Sequence, residues 1–324
     1  MGTSAGPRHP RTSSVTRMPG RILVGTSSWS DPGFVREWYP QGMAARDRLP
    51  WYAERFRFVE INSTFYGVPD RSTVRRWCGV TPERFTFDVK VHRALSRHAA
   101  ALDSLPPDLR DRAKTNERGR VILTPELEEE LARRLVEECR PLAEEGKLGA
   151  WLVQLTPAFA PGRRQLSELN DLVDALAPHP VAVELRHRAW VSEKRRDETL
   201  AWFSERGVVF VGVDAPPGNH VPIMPSDLDA VTRDDLAYLR LHGRDTDGYL
   251  TGKTVAERFG WRYADDELEE VADRVRGLAE EAAEVHVAFN NNRDDDAPTA
   301  AQRFQALLGQ DPGPTAEEGQ LKLG

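Results

Sequence analysis

The 324-residue chain has only two cysteines, Cys78 and Cys139. They stand far apart in stretches that read as helix, which excludes a disulfide framework. No CxxC or HExxH spacing occurs, so the standard zinc patterns are absent as well. No apolar run reaches the ~18 residues of a membrane span. Positive charge is not in excess: 44 Lys and Arg face 51 Asp and Glu, a net charge of −7. That balance excludes a general basic coat for nucleic acid, though not a local basic site. The opening stretch, MGTSAGPRHPRTSSVTRMPGR, has no apolar centre and so is not a secretory signal. Its Ser, Thr, Pro and Arg content reads as a disordered tail over 1–20. Reduced cysteines and the lack of a signal or span give a cytoplasmic expectation.

What is present is a repeated alternation. Eight short apolar runs carry polar residues on one alternating face, bunched toward the C-terminal end of each run. Glu60 and Asn62 close FRFVEIN, Asp88 and Lys90 close FTFDVK, and Gln154 sits in WLVQL. Glu184 and Arg186 close VAVELR, Asp214 closes VVFVGVD, Arg240 and His242 close YLRLH, and Asn290 closes VHVAFN. RILVGTSSW, the first run, ends in Thr26, Ser27 and Trp29. Side chains of a strand alternate faces with a period of two, so each polar set shares a face. Helical stretches separate most of the runs. The pattern predicts an α/β fold: a single TIM-like (β/α)₈ barrel over 21–309, with long βα loops and polar groups gathered at the end where such barrels place their chemistry. Residues 310–324 read as a flexible C-terminal tail.

Between the runs, helices are expected at 44–56, 125–146, 163–177, 196–206, 265–283 and 298–308. Pro125 suits the first position of its helix, and Leu127, Leu131, Leu135 and Cys139 recur every four residues. The segment 92–124 is too long for an ordinary loop and carries His92, Arg93, Arg97 and His98. Its length, charge and Pro106-Pro107 suggest a weakly packed lid. Residues 215–235 read as an irregular link without a long helix. Residues 243–264 form a second long loop containing GYLTGK, which lacks P-loop spacing.

The polar face supplies candidate roles. Arg186 and Arg240 offer planar forks for phosphate or carboxylate, and Lys90 adds a point charge. Glu184 is the candidate general base, and His242 titrates near neutrality as an acid or base. Asp214 orients a partner or holds a metal. Glu60, Asn62, Gln154 and Asn290 complete the substrate-binding set. His286 lies deeper and reads as a core histidine. No cofactor is required by the sequence. A divalent metal on Glu184, Asp214 and His242 is the alternative use of those ligands, opposed by three nearby cations. The set predicts an enzyme, a hydrolase or lyase, acting by acid–base chemistry on an anionic, phosphorylated or nucleic-acid-derived substrate. The alternatives are a sugar or carboxylate lyase or isomerase, and a non-catalytic module that binds a phosphorylated ligand or nucleic acid. A self-satisfied ion-pair network is the structural explanation for any one of these residues.

The motifs VGTSSW (24–29), FVEINSTFY (58–66), FTFDVK (85–90), LVQL (152–155), VAVELRHRAW (181–190), VGVD (211–214), YLRLHG (238–243) and FNNN (289–292) together make the chain similar to a microbial family, domain of unknown function 72. The resemblance implies a TIM-like barrel with no established activity, and it points again to the polar residues named above. This chain has Ser28 where the family usually reads Gly, Asn292 where histidine is frequent, and Arg97-His98 in place of a Thr-His pair. The chain ends Gln320, Leu321, Lys322, Leu323, Gly324, after a Pro/Gly-rich linker. This resembles the QLxLF peptide with which bacterial proteins dock on the DNA sliding clamp, with Gly324 in place of the aromatic anchor.

Overall fold

A computed structural model describes residues 18–314. Eight strands, β1 (Arg21–Thr26), β2 (Phe58–Ile61), β3 (Thr86–Lys90), β4 (Leu148–Gln154), β5 (Val181–Glu184), β6 (Val209–Asp214), β7 (Leu236–Leu241) and β8 (Glu284–Phe289), pair in sequence order and close on themselves. Every pairing is parallel, β1 closing on β8 with Arg21 level with Glu284 and Thr26 with Phe289. This is the expected TIM-like (β/α)₈ barrel. The close strand approach explains one glycine: a Cβ on Gly25 would lie 2.1 Å from the Phe58 carbonyl oxygen.

The outer helices follow from amphipathic spacing and local caps. Thr124 accepts from Leu127 N at 3.3 Å and starts the helix Pro125–Glu144, whose Leu127, Leu131, Leu135 and Cys139 are buried. In the helix Asp265–Glu281 an acidic first turn suits the helix dipole, and Leu268, Val271, Val275 and Leu278 turn inward. The helix expected over 163–177 starts later. A 3-10 turn at Leu166–Leu169, entered through a Gln165–Glu168 capping box, leads into Asn170–Leu176. Both cysteines are free and buried. Among the described residues no helix is long and apolar enough to cross a membrane.

The three irregular segments differ in how they are held. Residues 215–235 contain no helix, as expected, and side chains hold them together and to the start of β6. Ser226 Oγ bonds both the amide and the carbonyl of Ala215, and Thr232 Oγ1 accepts from Phe210 N and donates to Val208 O. Residues 243–264 form two short helices, Thr246–Thr251 and Val255–Arg258. The segment 92–124 is not weakly packed. Leu95, Ala100, Leu105 and Leu109 are buried, and Val121 N bonds Ala100 O at 2.9 Å. Its apolar residues, few and irregularly spaced, dock on the core with only a 3-10 turn at Leu102–Ser104 and one helical turn at Pro107–Arg110 between them.

Two apolar layers result. One lies between strands and helices. The other, inside the barrel, includes Leu23, Phe58, Leu152, Val209, Val211 and Tyr238. Val209 and Val211 therefore face inward, and Asp214 takes the outward parity of Phe210.

Candidate functional site

Inward-facing positions of β2, β5 and β7 carry Glu60, Glu184 and Arg240, all with no exposed surface. Burying a charge costs several kcal/mol unless it is paired and hydrogen-bonded, and here the pairing is dense. Arg240 donates from Nε to Glu60 Oε2 at 2.9 Å and from Nη2 to Glu60 Oε1 at 2.7 Å. Its Nη1 donates to Glu184 Oε2. Tyr238 OH adds a 3.1 Å bond to Glu60. The two carboxylates keep the Arg240 guanidinium charged against the opposing effect of burial.

Toward the mouth, Glu184 collects further donors. Gln154 Nε2 lies 3.0 and 3.1 Å from its two oxygens, His242 Nε2 lies 3.1 Å from Oε1, and Arg186 Nη1 is at 3.5 Å. Burial alone would raise the Glu184 pKa. Arg240, His242 and Arg186 outweigh it and hold the carboxyl well below the usual range. A carboxylate so saturated is a poor proton acceptor, which argues against the general-base role expected for it. Its geometry is that of an anion that orients its neighbours.

His242 shows the consequence. Burial lowers its pKa, with Glu184 opposing, so the ring is neutral. Nε2 faces a carboxylate and must carry the proton. Nδ1 is then the lone-pair nitrogen, and Asn290 Nδ2 donates to it at 2.9 Å. Asn290 follows β8 directly after Phe289, so His242, which follows the neighbouring β7, is held from the adjacent strand end.

Lys90 and Arg186 complete the mouth. Lys90 is 7% exposed, and its Nζ stands 4.6 Å from the Phe65 ring centre. Burial, with Arg240 opposing the ammonium at close quarters, brings its pKa down to about 7. Arg186 donates to Tyr249 OH at 2.5 Å, while its Nε is buried without an acceptor. Asn62 Oδ1 and Asn292 Oδ1 are likewise buried without a donor. Asn62 and Asn292 line a groove of about 540 Å³ with Trp29 and Tyr66. A larger groove of about 720 Å³, between Trp190 and Trp202, is lined by none of these polar residues.

The barrel thus brings together Glu60, Lys90, Gln154, Glu184, Arg186, Arg240, His242 and Asn290, with Asn62 at the rim. It does not bring Asp214. That carboxylate faces the helices, bonded to Arg244 at 3.0 Å, to Arg274 at 3.3 Å and to Tyr263 OH at 2.7 Å. The proposed metal set of Glu184, Asp214 and His242 is therefore not assembled. No cluster of three metal-ligating side chains occurs among the described residues. Below the site, His286 is a core histidine, with Nδ1 2.7 Å from Asp88 and Nε2 2.7 Å from Glu284.

Two residues were hidden from a reading of strand ends. His98, in the long third loop, is bonded through Nε2 to Gln154 O at 3.0 Å and is held near pKa 4 by burial, with Lys90 and Arg186 adding to the effect. Tyr249 sits in a short helix and meets Arg186. His98 had a signal in its loop's length and charge; Tyr249 had only its place among aromatics in a long loop. Residues 320–323, with the clamp-like peptide, lie outside the described residues.

The chain is 27% identical over 291 residues to the UPF0759 protein YunF of Bacillus subtilis, covering 89% of this chain and 94% of that protein. It is 28% identical to the UPF0759 protein YecE of Escherichia coli K12 over 60% of each. Among solved structures, a DUF72 family protein of Enterococcus faecalis matches with a TM-score of 0.74 at 26% identity, over 90% of this chain and 96% of that one. A DUF72 family protein of Thermotoga maritima matches with a TM-score of 0.71 at 26% identity, over 90% and 100%. With the model of the protein family of unknown function DUF72 matching residues 23–321, the chain belongs to that family.

Proposed function

We propose that this protein is an enzyme that takes a small anionic substrate at the barrel mouth and moves a proton there. The observation that carries the reading is a charge surplus at the mouth. Glu60 and Glu184 are matched by Arg240 and Arg186, while Nζ of Lys90 makes no hydrogen bond or ion pair among the described residues. A phosphate or carboxylate would supply the missing negative charge and an acceptor for Arg186 Nε. The close burial of these groups favours a small molecule over a nucleic-acid strand.

In this reading Glu184 and His242 form a dyad. Nδ1 of His242 takes a proton from the substrate once Asn290 yields it, and Glu184 stabilises the imidazolium through Nε2. Arg186 holds the anionic group. Glu60 and Arg240 fix Glu184 from beneath, with Gln154 from beside it.

Titration of inorganic phosphate and pyrophosphate by calorimetry tests the anion site. An Arg186→Ala variant should bind at least about tenfold more weakly, since a hydrogen bond to a charged group is worth ~1.5–3 kcal/mol. Equal affinity in both proteins overturns the reading.

A further inference from the structure

The chain buries two lysines among its described residues, and they are treated in opposite ways. Lys147 donates to Cys78 O at 2.6 Å, to Thr81 O at 3.0 Å and to Thr81 Oγ1 at 3.2 Å. Its charge is solvated by the protein, as a structural lysine requires. Lys90 has no such cradle. It stands at the C-terminal end of β3, where barrel chemistry is placed, and its Nζ lies over the face of Phe65 with no hydrogen bond among the described residues. The groups that face it are Arg240 from β7, Glu60 from β2, Glu184 from β5, Arg186 just beyond that strand, and His98 from the third loop. Two of the cations oppose a third charge beside them. Nothing in the fold requires an ammonium here, and apolar residues would fill the place without the cost of burial.

We propose that Lys90 is a nucleophile that forms an imine with the carbonyl carbon of a small aldehyde or ketone bearing a phosphate or carboxylate. This rests on the anion-binding mouth proposed above and names the class of substrate it takes. The Nζ lone pair forms a bond to the carbonyl carbon, and the C=O π pair moves to oxygen. One proton passes from nitrogen to that oxygen, giving a carbinolamine. The C–O bond then breaks, the oxygen leaves as water with the second nitrogen proton, and a C=N bond remains. Amine and carbonyl are consumed, imine and water are formed, and no oxidant or metal is needed. Protonation of the imine nitrogen gives an iminium that Glu60 and Glu184 stabilise, and in this scheme the His242 dyad removes a proton from the carbon beside it. A pKa near 7 leaves about half of Lys90 as free amine at neutral pH. An ordinary lysine holds on the order of a thousandfold less.

The test is reductive trapping on the wild-type protein at pH 7 with sodium cyanoborohydride. Pyruvate supplies a carboxylate, dihydroxyacetone phosphate supplies a phosphate, and acetone is the uncharged control. Peptide mass mapping should find the adduct on Lys90 at least a hundredfold ahead of the exposed Lys194 and Lys253. Excess inorganic phosphate should slow trapping by the two anionic probes and leave acetone unaffected. Adducts spread evenly over surface lysines overturn the proposal. So does absence of any Lys90 adduct while phosphate still binds in an Arg186-dependent way, a result that leaves the anion site standing. If phosphate does not bind but acetone still marks Lys90 selectively, the nucleophile stands and the anion site falls.

Discussion

Arg240 grips both carboxylate oxygens of Glu60 with hydrogen bonds of 2.9 and 2.7 Å, and neither side chain has any exposed surface. The pair lies across the barrel interior from β7 to β2 and carries the weight of the site above it. Glu60→Gln keeps the shape and removes one charge, leaving Arg240 with Glu184 as its sole carboxylate partner. The expected cost is about 3–5 kcal/mol in denaturant unfolding. A loss below about 1 kcal/mol would show the pair to be dispensable.

His286 ties stability to alkaline pH. Burial opposes its charge, but Asp88 and Glu284 outweigh burial and raise its pKa to about 9. The unfolded value is ~6.5. A raised folded pKa gives stability that is complete below 6.5 and is lost as pH climbs through 9. Urea midpoints should therefore fall between pH 7 and pH 9.5 in the wild type. In His286→Gln the fall should be visibly smaller. A wild-type midpoint that does not move over that range rejects the assignment.

Asp214 separates stability from the site. Asp214→Asn breaks the ion pairs to Arg244 and Arg274, at an expected cost of ~3 kcal/mol. Phosphate affinity measured below the unfolding transition should stay within about twofold of wild type, a shift of ~0.4 kcal/mol. A tenfold loss would return Asp214 to the binding site.

The His242 tautomer is directly measurable. Nitrogen NMR at pH 7 should show a neutral ring protonated on Nε2. Asn290→Asp places a second carboxylate at Nδ1, and the ring should become the imidazolium, with its pKa moving up through neutrality. An imidazolium already present in the wild type at pH 7 would contradict the lowered pKa that burial gives it.

Hydrogen exchange distinguishes a packed third loop from a lid. Amides of Val121, bonded to Ala100 O, and of Ser96, bonded to His92 O, should exchange at rates near those of the barrel strands. Rapid exchange at both would restore the mobile lid.

The alternation of polar and apolar residues determined much of this molecule by itself. A period of two with polar residues near the strand ends is enough to specify β-strands, their parallel closure and a polar mouth, because side-chain parity is a local property of the chain. Glu60, Lys90, Glu184, Arg240 and His242 were legible on those grounds. Asp214 was not. In VVFVGVD both faces are apolar, so parity had no local marker, and the carboxylate's partners Tyr263 and Arg274 lie 49 and 60 residues further on. Nor could the sequence show that Glu184 is saturated. Arg186 is a neighbour along the chain, but the other donors come from β4, β7 and the residue after β7, and only closure of the barrel brings those to the carboxylate. The same closure leaves Nζ of Lys90 with no hydrogen bond or ion pair among the described residues. Residue type and spacing announce which groups reach a site, but the count of partners each one finds is a property of the folded barrel alone.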